Sequence, residues 1–260
     1  MKQLQLREKE IFETLKKIRM DNFVLIGGYA VNAYTLPRFS VDCDIVIKDR
    51  KELEKIEKSL FELGYNKNPN HSTLWGIFKP QTETGRSKLR SIGLSSSNKE
   101  KNYSDEVPYS GNFERYEKDL EQNFKVSVDI LIGEVLDRET KAKFSADWVF
   151  NNSALRNLQG KTISEQLEVK IVNLDALFTM KLISCRQTDI RDIFLLINSV
   201  KDKKWIKREV SERCNLKDRL SKALSKINSK QFKDELQGVF GMVDDKLFER
   251  NKKLILELEK

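Results

Sequence analysis

An α/β half followed by an all-helical half is the architecture this sequence predicts, and three observations predict it. Short apolar runs rich in Val and Ile, at 23–26, 41–47 and 124–132, read as buried strands. Between them lie segments whose apolar residues recur at helical spacing, and from residue 173 onward the pattern is helical to the end. The division is expected near residue 165, with an α/β lobe over 1–165 and a helical lobe over 166–260.

The elements follow in order. An opening helix at about 4–20 carries Leu4, Ile11, Leu15 and Ile18 at helical spacing. The strand at 23–26 runs into Gly27 and Gly28, and a short helix over 29–35 stops near Pro37. After the strand at 41–47, residues 50–63 put Leu53, Ile56, Leu60 and Leu63 on one face, with Gly64 as a C-terminal cap. Extended pieces are expected at 74–78 and 89–92, followed by a Ser-, Asn-, Lys- and Gly-rich loop over 93–112. The run FKVSVDILI at 124–132 is the third strand, and 168–172 is expected as a last, edge strand. Asn173 is placed to cap the helix LDALFTMKLISC, Asp189 to begin IRDIFLLINSV, and 201–260 to hold two or three lysine-rich helices.

Composition narrows the chemistry. With 39% hydrophobic and 34% charged residues, the chain can bury a sizeable core beneath a highly charged surface. No apolar run approaches a membrane span, and the charged start MKQLQLREKE lacks a signal-type apolar core, so a cytoplasmic protein with no membrane partner is expected. Cys43, Cys185 and Cys214 have neither disulfide-framework nor zinc spacing, and a single histidine, His71, leaves a His-ligated metal site or a Ser-His-Asp triad almost nothing to be built from. Any metal is therefore expected to take oxygen ligands, as Mg²⁺ does. The net charge of +8 suits a polyanionic partner, although solvated lysine-rich helices produce the same surplus.

Acids inside apolar strands are costly without a cation against them. Asp42 and Asp44 are two apart in a strand, so both side chains project to one face while Val41, Cys43 and Ile45 project to the other. Asp129 repeats the pattern in the later strand. If the two strands are neighbours, three carboxylates converge and can hold two Mg²⁺ ions about 3.5–4 Å apart, as phosphoryl transfer requires. Gly27 and Gly28, between strand and helix, can present backbone amides to phosphate. Taken singly, each feature has a plain alternative: a tight turn for the glycines, a strand end or cap pair for the two aspartates, a turn start for Asp129. Their combination is far more specific.

That combination, GG–x9–R-x-S-x-D-x-D read as Gly27, Gly28, Arg38, Ser40, Asp42 and Asp44, resembles the signature of the DNA polymerase β-type nucleotidyltransferase superfamily, and within it the AbiEii-like toxin group. Asp129 matches the group's later acidic strand, and MKLISCRQTDIRDIFLL, with Lys181, Arg186, Asp189, Arg191 and Asp192, matches its closing helical element. The likeness covers 23–47, 124–132 and 173–197. Superfamily members often carry Gly-Ser where this chain has Gly27-Gly28, and the toxin group tolerates the second glycine.

The resemblance implies a two-lobed nucleotidyltransferase fold with a mixed sheet in the N-terminal lobe. It also implies Mg²⁺-dependent transfer of a nucleoside monophosphate from an NTP, with pyrophosphate leaving. The acceptor expected is RNA such as a tRNA 3′ end, in a toxin–antitoxin setting with a cognate antitoxin protein. Alternatives are small-molecule modification of the antibiotic-adenylylating kind, a protein acceptor, or an inactive module that only binds a partner or RNA. On this reading Asp42 and Asp44 ligate both metals, and Asp129 ligates one and orients or deprotonates the acceptor hydroxyl. Lys181 reaches the triphosphate, or is a solvated lysine. Arg38 contacts phosphate or braces its loop, Ser40 meets phosphate or caps a turn, and Arg186 binds phosphate or pairs with Asp192. Asp189 and Asp192 support the site, with the choice between them open. Trp75, Trp148 and Trp205 are expected to pack the core, and His71 to lie in an exposed turn.

Overall fold

The computed structural model describes residues 2–68, 112–121, 124–241 and 243–259. The extended pieces expected at 74–78 and 89–92, the loop from 93 to 111, His71 and Trp75 lie outside the described residues.

Helix α1 (Lys2–Ile18) buries Ile11, Phe12, Leu15 and Ile18 on one stripe. Strand β1 (Phe23–Leu25) leads directly into α2 (Gly27–Val31), so the two glycines open the helix instead of preceding it. Strand β2 (Asp42–Ile47) is followed by α3 (Arg50–Glu62). Asp49 caps α3 by accepting from the amides of Lys51 and Glu52 at 2.9 and 3.1 Å, and Gly64 closes it at φ +85°. Then come β3 (Asn66–Lys67), β4 (Phe113–Asp119), β5 (Lys125–Ile132), the pair β6 (Glu134–Leu136) and β7 (Lys143–Ser145), and α4 (Ala146–Asn151). Strands β8 (Ser153–Gln159) and β9 (Gln166–Val172) complete the main sheet.

Among the described residues that sheet has seven strands in the order β3-β4-β5-β2-β1-β9-β8. It is mixed: β2 runs parallel to β5 and β1 parallel to β9, while the remaining neighbours are antiparallel. Two expectations are corrected here. The strand expected at 168–172 is not an edge, because β8 pairs along its outer side for seven residues. It also belongs to the sheet, and the helical part of the chain begins at Leu174, as the pattern from 173 onward predicts. Val41, expected in the buried layer, precedes β2 and is 58% exposed.

The helical part holds α5 (Leu174–Ser184), α6 (Gln187–Leu196), α7 (Lys203–Ser211), α8 (Leu216–Ile227), α9 (Phe232–Phe240) and α10 (Asp245–Leu256). Four helices therefore follow residue 201, where two or three were expected, and α6 starts at Gln187 with Asp189 in its first turn. Asn173 does occupy the cap position of α5, but its side chain makes no capping bond. One continuous core runs from Ile11 through the sheet residues Ile45, Val128 and Ile171 to Phe178, Phe194 and Phe232. Among the described residues no helix is long and apolar enough to cross a membrane.

Candidate active site

In β2 the alternation holds: Cys43 and Ile45 are fully buried, and Asp42 and Asp44 share the opposite, half-buried face. The parallel register with β5 sets Asp42 beside Ser127 and Asp44 beside Asp129. Paired residues of adjacent strands point to the same face, so the three acids meet there although the two strands are far apart in sequence. On the other side of β5, the antiparallel register of β4 sets Arg115 beside Asp129 and Glu117 beside Ser127.

Asp129, 6% exposed, is gripped by Arg115, whose Nε and Nη2 donate to its two carboxylate oxygens at 2.7 and 2.6 Å. The same Nη2 stands 3.6 Å from Asp42 Oδ1, and the Ser127 hydroxyl donates to that Asp42 oxygen. Asp44 has no such clamp. Burial, then the charges of Asp129 and Asp42, push its carboxyl up to about 7, against the opposing pull of Lys181 and Arg115. The cluster is thus short of positive charge at Asp44.

The glycines owe their place to what lies against them. Gly27 has φ +66°, and a Cβ there would stand 2.7 Å from Asp44 Cγ and closer still to Oδ2. A Cβ on Gly28 would stand 2.9 Å from Ser40 Cβ and 3.2 Å from Arg38 Nη2. The side chains of Asp44 and Ser40 therefore rest directly on the glycine backbone. Gly27→Ala meets both the left-handed penalty of roughly 1–2 kcal/mol and a collision with the carboxylate. We expect it to melt several degrees lower and to lower any activity of the site about a hundredfold, since displacements near 1 Å cost on that order. A variant matching wild type in thermal melting and turnover would contradict this placement.

A second cluster adjoins the first. Arg38 Nε and Nη2 each lie 2.7 Å from a carboxylate oxygen of Asp192, which is fully buried. Lys181, with its side chain 11% exposed, reaches Asp189 at 2.6 Å and Asp192 at 3.0 Å. The Ser184 hydroxyl donates to Asp189, which also accepts the Arg186 amide at 3.3 Å. Arg38 is braced through Asn32, whose side chain exchanges two bonds with its backbone at 3.0 and 3.1 Å. Asp44 and Arg38 feel each other's side of this arrangement: Lys181 lowers the Asp44 pKa, and Asp44 raises that of Arg38.

Of the residues expected to build a site, Gly27, Gly28, Ser40, Asp42, Asp44 and Asp129 form the first group, Lys181, Asp189 and Asp192 the second, and Arg38 links them, paired to Asp192 with its guanidinium beside Gly28. Lys181 is no solvated lysine. Arg38 braces, locking its loop to α6. Arg186 stands apart: its side chain is 64% exposed, and Asp137, 3.9 Å away, takes the place of the anticipated Asp192 partner. Trp148 and Trp205 stack on each other with centroids 5.9 Å apart and planes at 15°, and Trp148 donates to Glu209 at 2.9 Å, as packing residues do.

Sequence reasoning missed Arg115, Ser127 and Asn32. Arg115 left a readable trace: FERYEKD alternates, with Glu114 and Tyr116 buried on one face. Five residues separate the segment from β5, and the Leu120 amide donates to the Phe124 carbonyl at 2.7 Å, so pairing the two runs would have set its arginine against Asp129.

Among the described residues no group of three or more acidic, Cys or His side chains stands at metal-ligating spacing. The donor set itself suits a hard divalent ion, being all carboxylate and under-compensated at Asp44. Arg115 occupies the span between Asp129 and Asp42.

A family model described as "Nucleotidyl transferase AbiEii toxin, Type IV TA system" matches residues 14–250. No curated protein matches the chain. Among solved structures, the chain is similar to the lincosamide antibiotic adenylyltransferase LnuA with lincomycin bound, at 16% identity and TM-score 0.39, over 73% of this chain and 95% of that one.

Proposed function

The chain belongs to the AbiEii nucleotidyl transferase toxin family, and from that premise we propose that it moves a nucleoside monophosphate from a Mg²⁺-bound NTP to an RNA acceptor, a tRNA 3′ end, as the toxin of a toxin–antitoxin pair. Nucleotidyltransferase activity follows from family membership; the metal, the acceptor, the antitoxin and the residue roles are our reading. The observation that carries the reading is the strand register that sets Asp44 against Asp129 with Asp42 on the same face.

Asp42 and Asp44 would hold the divalent ion, with Asp129 joining them. When bound, that ion supplies charge neutralisation at the triphosphate and its leaving pyrophosphate. The chain's own residues do the rest. Asp129 orients the acceptor hydroxyl and takes its proton. Lys181, held by Asp189 and Asp192 beside Asp44, offers a fixed positive charge to the phosphates. Arg38, anchored to Asp192, holds the loop carrying Ser40 against Gly28. The net charge of +8 favours an RNA acceptor over a small neutral one.

The test is to incubate the protein with each α-labelled NTP, Mg²⁺ and total RNA. We expect label in a tRNA-sized band, lost in Asp42→Ala. Label on a protein or a small molecule would replace the proposed acceptor. No transfer under any condition, with Asp42→Ala indistinguishable from wild type, would overturn the reading.

A further inference from the structure

The hairpin of β4 and β5 puts Arg115 directly across from Asp129, and its guanidinium fork occupies both carboxylate oxygens while lying 3.6 Å from Asp42. One side chain thus bridges the acid of β5 and the first acid of β2, the span a divalent ion would otherwise cover. Such two-pronged, charge-assisted contacts are the strongest that arginine makes with a carboxylate. This one is poorly screened by water, with side-chain exposures of 21% for Arg115 and 8% for Asp129.

We propose that Arg115 competes with divalent metal for Asp129, and that the triphosphate of the incoming nucleotide draws the guanidinium away so that metal and nucleotide bind cooperatively. The inference deepens the transfer reading and rests on its assignment of Asp129 to the metal. The exchange balances in charge: the fork leaves a singly charged carboxylate for a more highly charged triphosphate with paired oxygens of matching geometry. Arg115 is anchored by its strand and its side chain is 21% exposed, so rotation about its side-chain bonds suffices and the sheet stays intact. By linkage, whatever the nucleotide adds to metal affinity the metal adds to nucleotide affinity. Metal alone meets a site already filled by a cation.

The experiment is a titration of Mn²⁺, followed by calorimetry and by the paramagnetic signal of free Mn²⁺, with and without a non-hydrolysable NTP analogue. Wild type is expected to bind Mn²⁺ weakly alone and more tightly with the analogue. Arg115→Gln is expected to bind Mn²⁺ alone about ten- to a hundredfold more tightly, the scale of a charge-assisted contact removed, and to gain less from the analogue. Adding Asp129→Asn should cancel that gain. Unchanged or weaker binding in Arg115→Gln, while wild type with analogue still takes up Mn²⁺, overturns this inference and spares the transfer reading. Absence of Mn²⁺ binding by wild type even with the analogue overturns both. If Arg115→Gln fails to fold, Arg115→Lys, which keeps the charge but not the fork, should bind metal alone more tightly than wild type, and equal affinity would overturn the proposal.

Discussion

Asp44→Asn is expected to cut transfer about a thousandfold while making the metal-free protein more stable at neutral pH. On the proposed role of Asp44 as a metal ligand, the loss follows from removing a carboxylate whose interaction with the ion would be worth several kcal/mol in the transition state, about 4 kcal/mol for a thousandfold. The gain follows from the pKa. Burial, Asp129 and Asp42 hold the Asp44 carboxyl at about 7 in the folded chain, whereas unfolding returns it to about 3.9. Between those values the folded chain keeps a proton that the unfolded chain has lost, so the Asp44 contribution to stability falls as pH rises from about 4 to about 7. Asparagine carries no charge and removes that slope. Thermal melting of wild type and variant in a chelator should show a gap in favour of the variant that is larger at pH 8 than at pH 5. A variant that turns over normally, or a gap that shrinks with pH, would count against this account of the site.

Asp192→Asn is expected to lose about 3–5 kcal/mol of folding stability, the cost of leaving buried cations without their counter-charge. Two cations depend on this carboxylate, Arg38 through both oxygens and Lys181 at 3.0 Å, and the carboxylate itself is fully buried. Asp189 still holds Lys181 in the variant, so the greater loss falls on Arg38 and on the loop it ties to α6. Urea unfolding should show a lower midpoint with an unchanged slope. The double variant Arg38→Met/Asp192→Leu should recover part of the stability without recovering transfer, because paired apolar replacements remove the uncompensated charge. A loss below about 1 kcal/mol would mean that the cluster is solvated and replaceable.

What the sequence disclosed depended on how local each determinant is. Helix α3 was legible because its four apolar residues and Gly64 lie within one short stretch. Strands β2 and β5 were legible as apolar runs, and the misplaced acids within them marked the site. Their relative register was not, because it is set by pairing across the whole sheet and not by either strand. Strand β8, SALRNLQ, escaped notice because Leu155 faces solvent at 66% exposure and the strand has no β-branched residue, and missing it turned β9 into a supposed edge. The Arg38–Asp192 pair joins residues 154 apart, and only the packing of α6 beside the site makes it visible. The glycines were read for their amides; what required them was the room their missing side chains leave for Asp44 and Ser40.

The interleaved order of the sheet also bears on the timing of synthesis. β1 sits between β2 and β9, and Lys181 and Asp192 come later still, so the constellation cannot close until residue 192 has left the ribosome. A nascent chain carrying only the glycines and the first two acids lacks β5, β9 and the helices that complete the group. On the proposed residue roles, catalytic competence therefore arrives late and all together rather than growing with chain length.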